Sequence, residues 1–244
     1  MKWINVIMIS AVIAVNALAN ALPINGMNTG EISALYPNLF VPAGITFSIW
    51  SIIYLSLIGF VLYPFISKKS LGLQFNLLFV ATCILNMSWV FAWHYQQIEV
   101  SLFIMLLFLL VLIKIYLTTN TSGRLEFWLV FIPMNIYFAW ICVATIANVT
   151  ALLVHWNIDL PFPGLITIIL ILVTQLFVWF VSISKVNWTY SLVITWALIG
   201  IVIKRATTEP TNNEIVIAAC LAILFTLGFT LYKARNQSIL SNPV

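Results

Sequence analysis

The sequence has few charged side chains, since Asp, Glu, Lys and Arg together make up 7% of its 244 residues. A soluble domain carries about 25% charged residues, so this composition excludes a protein whose whole surface faces water. The sequence also has no Gly-rich phosphate loop, no HExxH and no GxSxG motif, the signatures of nucleotide-binding proteins, zinc proteases and serine hydrolases. It has one Asp, Asp159, and no carboxylate pair inside an apolar run, which disfavours a proton-coupled transporter.

Cysteine and histidine are also scarce. Cys83, Cys142 and Cys220 each fall inside an apolar run and form no CxxC pair, so they are predicted to be small buried hydrophobic residues rather than disulfide or zinc ligands. His94 and His155 fall at the ends of predicted membrane spans, where imidazoles can bind haem iron or a metal. Two isolated histidines at an interface are more often solvated loop residues, and we expect that role here.

Apolar residues, in contrast, are abundant at 63%. They recur in runs of about 20, the length that a helix needs to cross a bilayer. The predicted fold class is therefore all-α, a polytopic helical membrane protein with eight spans. The predicted spans are residues 4–23, 43–66, 72–94, 100–118, 127–154, 163–183, 187–204 and 214–233.

Turn residues mark several of the breaks between spans. The clearest breaks are Pro42, Lys68 with Lys69, the Asn-Thr-Ser-Gly of 120–123, the Pro161 to Gly164 segment and TTEPTNN at 207–213.

The first span has two interpretations. Lys2, an apolar core and the small-residue run ALANA at 17–21 would suit a cleavable signal peptide. Asn16 and Asn20, however, are spaced i and i+4, so both amides can face partner helices. We therefore expect a retained helix.

The positive charges predict the topology. If the side that holds the N-terminus is called inside, eight Lys and Arg residues fall inside and two, Lys204 and Arg205, fall outside. This asymmetry predicts an even number of spans with both termini cytoplasmic, in a membrane that is expected to be the bacterial plasma membrane. The first loop, residues 24–41, has no Lys or Arg and is predicted to be external. The inside residues are Lys2, Lys68, Lys69, Lys114, Arg124, Lys185, Lys233 and Arg235.

Three spans carry stripes of aromatic and polar residues at helical spacing. Because residues three and four apart share a helix face, each stripe can face a common interior. Aromatic faces would stack on a planar apolar ligand, and the amides would fix its orientation. Packing between helices and anchoring at the membrane interface are the alternatives for any single residue. The predicted ligand-binding residues are Trp50 and Tyr54 on the second span, Asn86 and Trp89 on the third, and Tyr137, Trp140, Ala144 and Asn148 on the fifth.

These motifs resemble those of the TspO/MBR family, the tryptophan-rich sensory proteins whose mitochondrial relative is the translocator protein or peripheral benzodiazepine receptor. Pro42 with Trp50-x-x-x-Tyr54 resembles the family's second-helix motif, and Leu85-Asn86-x-x-Trp89 resembles its third-helix motif. The segment from Tyr137 to Asn148, YFAWICVATIAN, resembles its fifth-helix signature with the spacing intact. Val41, Gly44, Thr82 and Ile136 stand where the family has Pro, Trp, Gln and Pro.

The resemblance implies a five-helix core, predicted at 1–158, and leaves 159–244 as an extension of three further transmembrane helices. It also implies a protein that binds a tetrapyrrole or sterol-like ligand, with the first loop placed over the external mouth of the site as a lid. No catalytic or metal-binding residue and no required cofactor is predicted, although porphyrin or haem could be bound. The open alternatives are a small-molecule transporter and a membrane enzyme that acts on a porphyrin or lipid.

The expected partners are membrane lipid and a small planar hydrophobic ligand. A homodimer is left open, and no binding of nucleic acid is expected. Replacing Asn86 or Asn148 with Leu is expected to weaken ligand binding while leaving folding largely intact, because Leu is well tolerated in lipid-embedded helices.

Overall fold

The computed structural model describes residues 1–22, 24–119, 123–182 and 187–241, with residues 237–241 as backbone only. Within these ranges the regular structure is helical. The α-helices are α1 (Lys2–Ala21), α2 (Thr29–Ala34), α3 (Ile49–Ile66), α4 (Leu73–His94), α5 (Ile98–Thr118), α6 (Arg124–Glu126), α7 (Ile132–His155), α8 (Pro163–Val181), α9 (Trp188–Thr207) and α10 (Asn213–Ser241). Short 3₁₀ helices cover Ile24–Gly26 and Gly44–Ser48, and a π-helical segment, Phe127–Phe131, joins α6 to α7.

Eight of these helical segments are long and apolar enough to cross a membrane, so the prediction of an all-α polytopic membrane protein is confirmed. Their bounds differ from the predicted spans by a few residues. The fifth segment, Arg124–His155, begins earlier than predicted because it includes α6 and the π-helical turn. Pro23, Asn120, Thr121, Ser122 and the segment 183–186, which includes Lys185, lie outside the described residues, as do residues 242–244.

The chain divides into two compact units. Unit 1 consists of residues 1–38 and 47–158, and unit 2 consists of residues 39–46 and 159–244. In unit 1 the helices form a closed ring, because α1 packs on α3 and α4, α4 on α5, α5 on α7, and α7 on α3. A ring of five apolar helices leaves an interior that only side chains can fill, and this interior holds the predicted ligand-binding residues.

Two asparagine pairs join α1 to α4. Asn5 Nδ2 donates to Asn76 Oδ1 over 2.6 Å, and Asn16 Nδ2 donates to Asn86 Oδ1 over 2.8 Å. Asn16 therefore faces a partner helix as predicted. Asn20 is exposed and donates to the Asn16 carbonyl of its own helix, so the expectation for that residue was wrong.

In unit 2, α10 packs on α8 and α9, and residues 39–46 lie along α9. Ala43 N donates to the Gly200 carbonyl over 2.9 Å, and Trp196 Nε1 donates to the Thr46 carbonyl over 3.0 Å. A Cβ at Gly200 would lie 2.0 Å from Thr46 Oγ1, so glycine is required for this close approach.

Cys83 and Cys142 are buried as predicted. Cys220 is exposed on α10, so burial was the wrong expectation for that residue. A helix at the surface of a bundle has apolar residues on its outward face as well as on its inward face. Composition alone does not show which face a residue such as Cys220 occupies.

Candidate functional site

The eight predicted ligand-binding residues come together in the interior of unit 1. We call the set the aromatic–amide cluster. Five of its side chains are at most 4% exposed, whereas Trp50 and Tyr54 on α3 are half-buried. The five are Asn86, Trp89, Tyr137, Trp140 and Asn148. Its members are Trp50, Tyr54, Asn86, Trp89, Tyr137, Trp140, Ala144 and Asn148.

Trp50 is the centre of the aromatic contacts. Its ring stacks on Tyr54 at a centroid distance of 5.6 Å and on Trp89 at 5.9 Å. It also meets Tyr137 and Trp140 edge to face, at 6.3 and 6.1 Å. These distances are typical of favourable aromatic pairs, so one half-buried indole holds together rings from α3, α4 and α7.

Asn86 joins three helices through its amide. The Asn86 oxygen accepts from Asn16 Nδ2 on α1, and its Nδ2 donates to the Tyr137 hydroxyl on α7 over 2.9 Å. Lipid offers no hydrogen bonds, so these partners satisfy an amide that would otherwise be costly to bury. They also fix the orientation of the Asn86 side chain.

Asn148, on α7, makes a similar junction with α4 and α5. Its Oδ1 accepts from Ser101 Oγ on α5 over 2.7 Å and, more weakly, from Trp89 Nε1 on α4 over 3.4 Å. Its Nδ2 donates to the carbonyl of Ala144 over 3.0 Å. Ala144 therefore contributes a backbone oxygen that accepts from Asn148, and its small side chain leaves space for the neighbouring rings.

Unlike the two amides, the Trp140 indole N–H and the Tyr54 hydroxyl lack well-formed hydrogen bonds. Trp140 Nε1 is buried without a hydrogen-bond partner among the described residues. The Tyr54 hydroxyl lies near the Asn86 amide, but within the same part of the chain it makes no hydrogen bond of good geometry. A buried unpaired donor costs about 1–3 kcal/mol, so both groups are available to an acceptor that enters the cluster.

The residues of the cluster were expected to line a cavity. In this structure their ring faces contact one another, and Phe47 and Phe108 close the group through edge-to-face contacts with Trp140 and Tyr137. A ligand that binds here must take the place of some of these ring–ring contacts. Trp50 and Tyr54 are the rings best able to move, because they are the least buried.

The first loop packs on the ends of α4 and α7. The short helix α2 begins with a capping box, in which Asn28 accepts from Glu31 N and Glu31 accepts from Asn28 N. Trp93 Nε1 donates to the Thr29 carbonyl over 3.3 Å, and the Tyr36 ring lies 6.0 Å from that of Trp93. The loop is therefore held by specific contacts, and the Asn-x-x-Glu spacing was the signal that could have predicted α2.

His94 is one of these contacts and is not the solvated residue that we expected. The residue is 1% exposed, and its Nδ1 lies 3.1 Å from the Ile24 carbonyl and its Nε2 3.1 Å from the Thr29 hydroxyl. A carbonyl can only accept, so Nδ1 donates, and in the neutral ring Nε2 accepts from Thr29. Both ring nitrogens are therefore used to hold the first loop. His155 is partly exposed and lies 3.6 Å from Glu99.

Sequence reasoning missed Ser101 and did not place Asn16 in the site. Ser101 is the partner that fixes Asn148, and Asn16 is the partner that fixes Asn86. The signal was available, since Ser101 is an isolated hydroxyl near the start of an apolar span and buried polar groups in membranes need partners.

A comparison with protein families gives a match over almost the whole chain. The matching family model is described as TSPO-like protein, and it spans residues 2–232. The chain belongs to the TSPO-like protein family. The family match includes residues 159–232 in unit 2, which the motif resemblance did not cover. Neither the curated proteins nor the solved structures contain a match.

Membership in the TSPO-like family fits the residues that carry the cluster. All eight lie within the matched range, on three of the helices that form the ring of unit 1. This integral membrane protein therefore carries a group of aromatic rings and amides within the range that matches the family.

Proposed function

We propose that this TSPO-like protein binds a planar hydrophobic ligand, a tetrapyrrole or sterol-like molecule, within the aromatic–amide cluster. The observation that carries the proposal is the Trp140 indole N–H, which is buried among aromatic rings and has no acceptor in the described chain. A ligand oxygen placed between these rings would satisfy that donor. The family membership supports the same function by resemblance.

The chemistry of the cluster selects the shape and polarity of the ligand. Aromatic faces favour flat apolar molecules through stacking and burial. The Trp140 N–H and the Tyr54 hydroxyl favour a ligand that carries at least one acceptor oxygen, such as a carboxylate or a ketone. Entry requires the Trp50 ring to turn away from Trp89 and Trp140, and the half-buried position of Trp50 makes this the least costly movement.

We infer that the bound ligand is sensed or sequestered rather than chemically changed. Recovery of the ligand by mass spectrometry from gently purified protein tests this, because an unmodified molecule is expected. A solute flux into proteoliposomes that empty vesicles lack would favour the transporter instead. A ligand that leaves chemically altered would favour a membrane enzyme.

We also propose that both termini are cytoplasmic, in a bacterial plasma membrane. The charge asymmetry of the loops supports this orientation. Reporter fusions at the C-terminus and in the first loop test it. A C-terminal reporter that is active only outside the cytoplasm would contradict the topology.

The binding proposal is tested by Trp140→Phe, measured through the fluorescence of protoporphyrin titrated into the purified full-length protein. Phenylalanine keeps an aromatic ring at the position and removes the N–H, which has no partner to lose, together with part of the indole surface. Loss of one hydrogen bond of about 1 kcal/mol predicts an affinity about 5-fold weaker.

Trp179→Phe is the matched control, because Trp179 is 52% exposed on α8 and lies outside the cluster. The control is expected to bind protoporphyrin like the wild type. Trp140→Ala should weaken binding further than Trp140→Phe, since it also removes stacking surface. Unchanged affinity in both Trp140 variants would mean that the cluster is a packing surface and that the ligand binds elsewhere.

A further inference from the structure

A basic pocket lies at the other end of unit 1, opposite the end where the first loop packs. It is an open pocket of about 410 Å³ between the start of α1, the end of α3 and the start of α4. Three lysines line it, Lys2, Lys68 and Lys69, and its lining within the described chain includes no Asp or Glu. A pocket with three cations and no anion concentrates positive potential and attracts an anionic group.

The N-terminus of α4 opens into the same pocket. Leu73 and Asn76, in the first turn of this helix, are lining residues, and Gly72 at the N-cap supplies no side chain to cap it. The first helical hydrogen bond of α4 runs from Asn76 N to the Gly72 carbonyl. The N–H groups of residues 73–75 come before this bond and have no acceptor within the helix. A helix of 22 residues adds a positive dipole end to the charge of the lysines.

The pocket also has an apolar side. Pro64, Leu71 and Leu73 line it together with the lysines. Lys2 is further held in place, because its Nζ lies 4.7 Å from the centre of the Phe65 ring. The candidate spans begin at Lys2, end at Ile66 and begin again at Leu73, so the basic pocket lies at the level where helices leave the membrane.

We propose that the basic pocket binds the phosphate of an anionic phospholipid headgroup, with the apolar lining against its glycerol backbone. Cations and a helix N-terminus recognise the phosphate, and the position at the membrane surface favours a lipid over a soluble ester. Basic pockets between membrane helices on the cytoplasmic side are suited to such headgroups, and the basic pocket lies on that side in the orientation proposed above. This inference does not depend on the ligand of the aromatic–amide cluster.

The test is lipid retention by the full-length protein in a neutral detergent, measured by native mass spectrometry. Dioctanoyl phosphatidylglycerol and dioctanoyl phosphatidylcholine are added in separate titrations, and glycerol phosphate is the soluble competitor. The wild type is expected to retain phosphatidylglycerol about 10-fold better than phosphatidylcholine, because the attraction of each lysine adds to the discrimination. A K68Q/K69Q double variant should lose most of this preference.

Lys114→Gln is a matched control, since Lys114 is an exposed lysine near the end of α5 and does not line the pocket. It should keep the preference. Ser70→Glu, which adds a negative charge to the lining, should remove the preference without removing a lysine.

Three results would overturn the proposal. One is equal retention of the two lipids by the wild type. Another is an equal loss of preference in K114Q and K68Q/K69Q, which would indicate a diffuse charge effect. The third is displacement of phosphatidylglycerol by equimolar glycerol phosphate, which would show that the site takes a soluble phosphate ester instead.

Discussion

Two regions of this protein bury polar side chains between helices, and they satisfy the hydrogen bonds of those side chains to different degrees. The aromatic–amide cluster of unit 1 combines amides with large rings. In unit 2, α8, α9 and α10 carry what we call the hydroxyl network, a group of small hydroxyl side chains around one glutamine. Its members are Thr174, Gln175, Ser191, Thr226 and Thr230.

The hydroxyl network is satisfied by bonds among its own side chains and by the backbone carbonyls of Ile171 and Thr226. Thr226 Oγ1 donates to Gln175 Oε1 over 2.6 Å, and Gln175 Nε2 donates to Thr174 Oγ1 over 3.2 Å. The Ser191 and Thr230 hydroxyls lie 2.8 Å apart. Such mutual bonding between helices stabilises packing in a membrane and leaves nothing for a ligand.

The aromatic–amide cluster differs because part of it is unsatisfied. Its two amides are fully used, whereas Trp140 Nε1 has no partner among the described residues and the Tyr54 hydroxyl makes no well-formed bond there. In lipid, water cannot supply the missing bonds. The two regions therefore differ in their unsatisfied donors, and the proposed ligand site rests on those donors.

The largest effect on stability is expected from Asn86→Leu. The substitution removes two hydrogen bonds between helices. It leaves the Tyr137 hydroxyl without its Asn86 partner and the Asn16 amide with only the Val12 carbonyl of its own helix, so we expect a loss of about 2 kcal/mol in the free energy of unfolding. Unfolding of the ligand-free protein in mixed micelles measures it. Asn20→Leu, at an exposed position on α1, is the control and should change stability little. Equal stability of the two variants would show that the Asn86 bonds contribute no net stability.

This expectation differs from the one that the sequence supports. Sequence alone predicted that Asn86→Leu would spare the fold, because leucine suits a membrane helix. Periodicity placed Asn86 on the correct face, but it could not pair that residue with Asn16, which lies 70 positions away. The identity of a partner depends on how α1 and α4 pack, and that information is not local.

A smaller effect is expected from Gln175→Leu, which tests the other region. The variant removes the acceptor of Thr226, whose hydroxyl can turn to a carbonyl of its own helix, so a loss of about 1 kcal/mol is expected. Protoporphyrin affinity should not change, because the hydroxyl network is a packing device. A several-fold loss of protoporphyrin affinity in a correctly folded Gln175→Leu protein would show that the hydroxyl network contributes to ligand binding.

The smallest loss of stability is expected from Tyr54→Phe. The hydroxyl has no well-formed bond to lose and is costly to bury without one, so the free energy of unfolding without ligand should stay the same or rise by up to about 1 kcal/mol. Affinity for a ligand with an acceptor oxygen should nevertheless fall several-fold. If Tyr54→Phe instead destabilised the ligand-free protein as much as Asn86→Leu, the Tyr54 hydroxyl would belong to the packing network.

Much of the fold could be predicted from the sequence because membrane helices obey simple length and polarity rules. All eight spans and the convergence of the three stripes follow from those rules and from the 3.6-residue period. What could not be predicted depends on contacts between distant segments. Examples are the burial of His94 under the first loop and the approach of Thr46 to Gly200.

Photochemical crosslinking directly tests whether a planar ligand binds in the aromatic–amide cluster. A photoreactive porphyrin is irradiated with the full-length protein, and the labelled peptides are mapped by mass spectrometry. Adducts are expected within 47–54, 86–93 and 137–148, with labelling reduced in Trp140→Phe and unchanged in Trp179→Phe. Labelling confined to α8, α9 and α10, or labelling that Trp140→Phe leaves unchanged, would contradict the assignment of the aromatic–amide cluster as the ligand site.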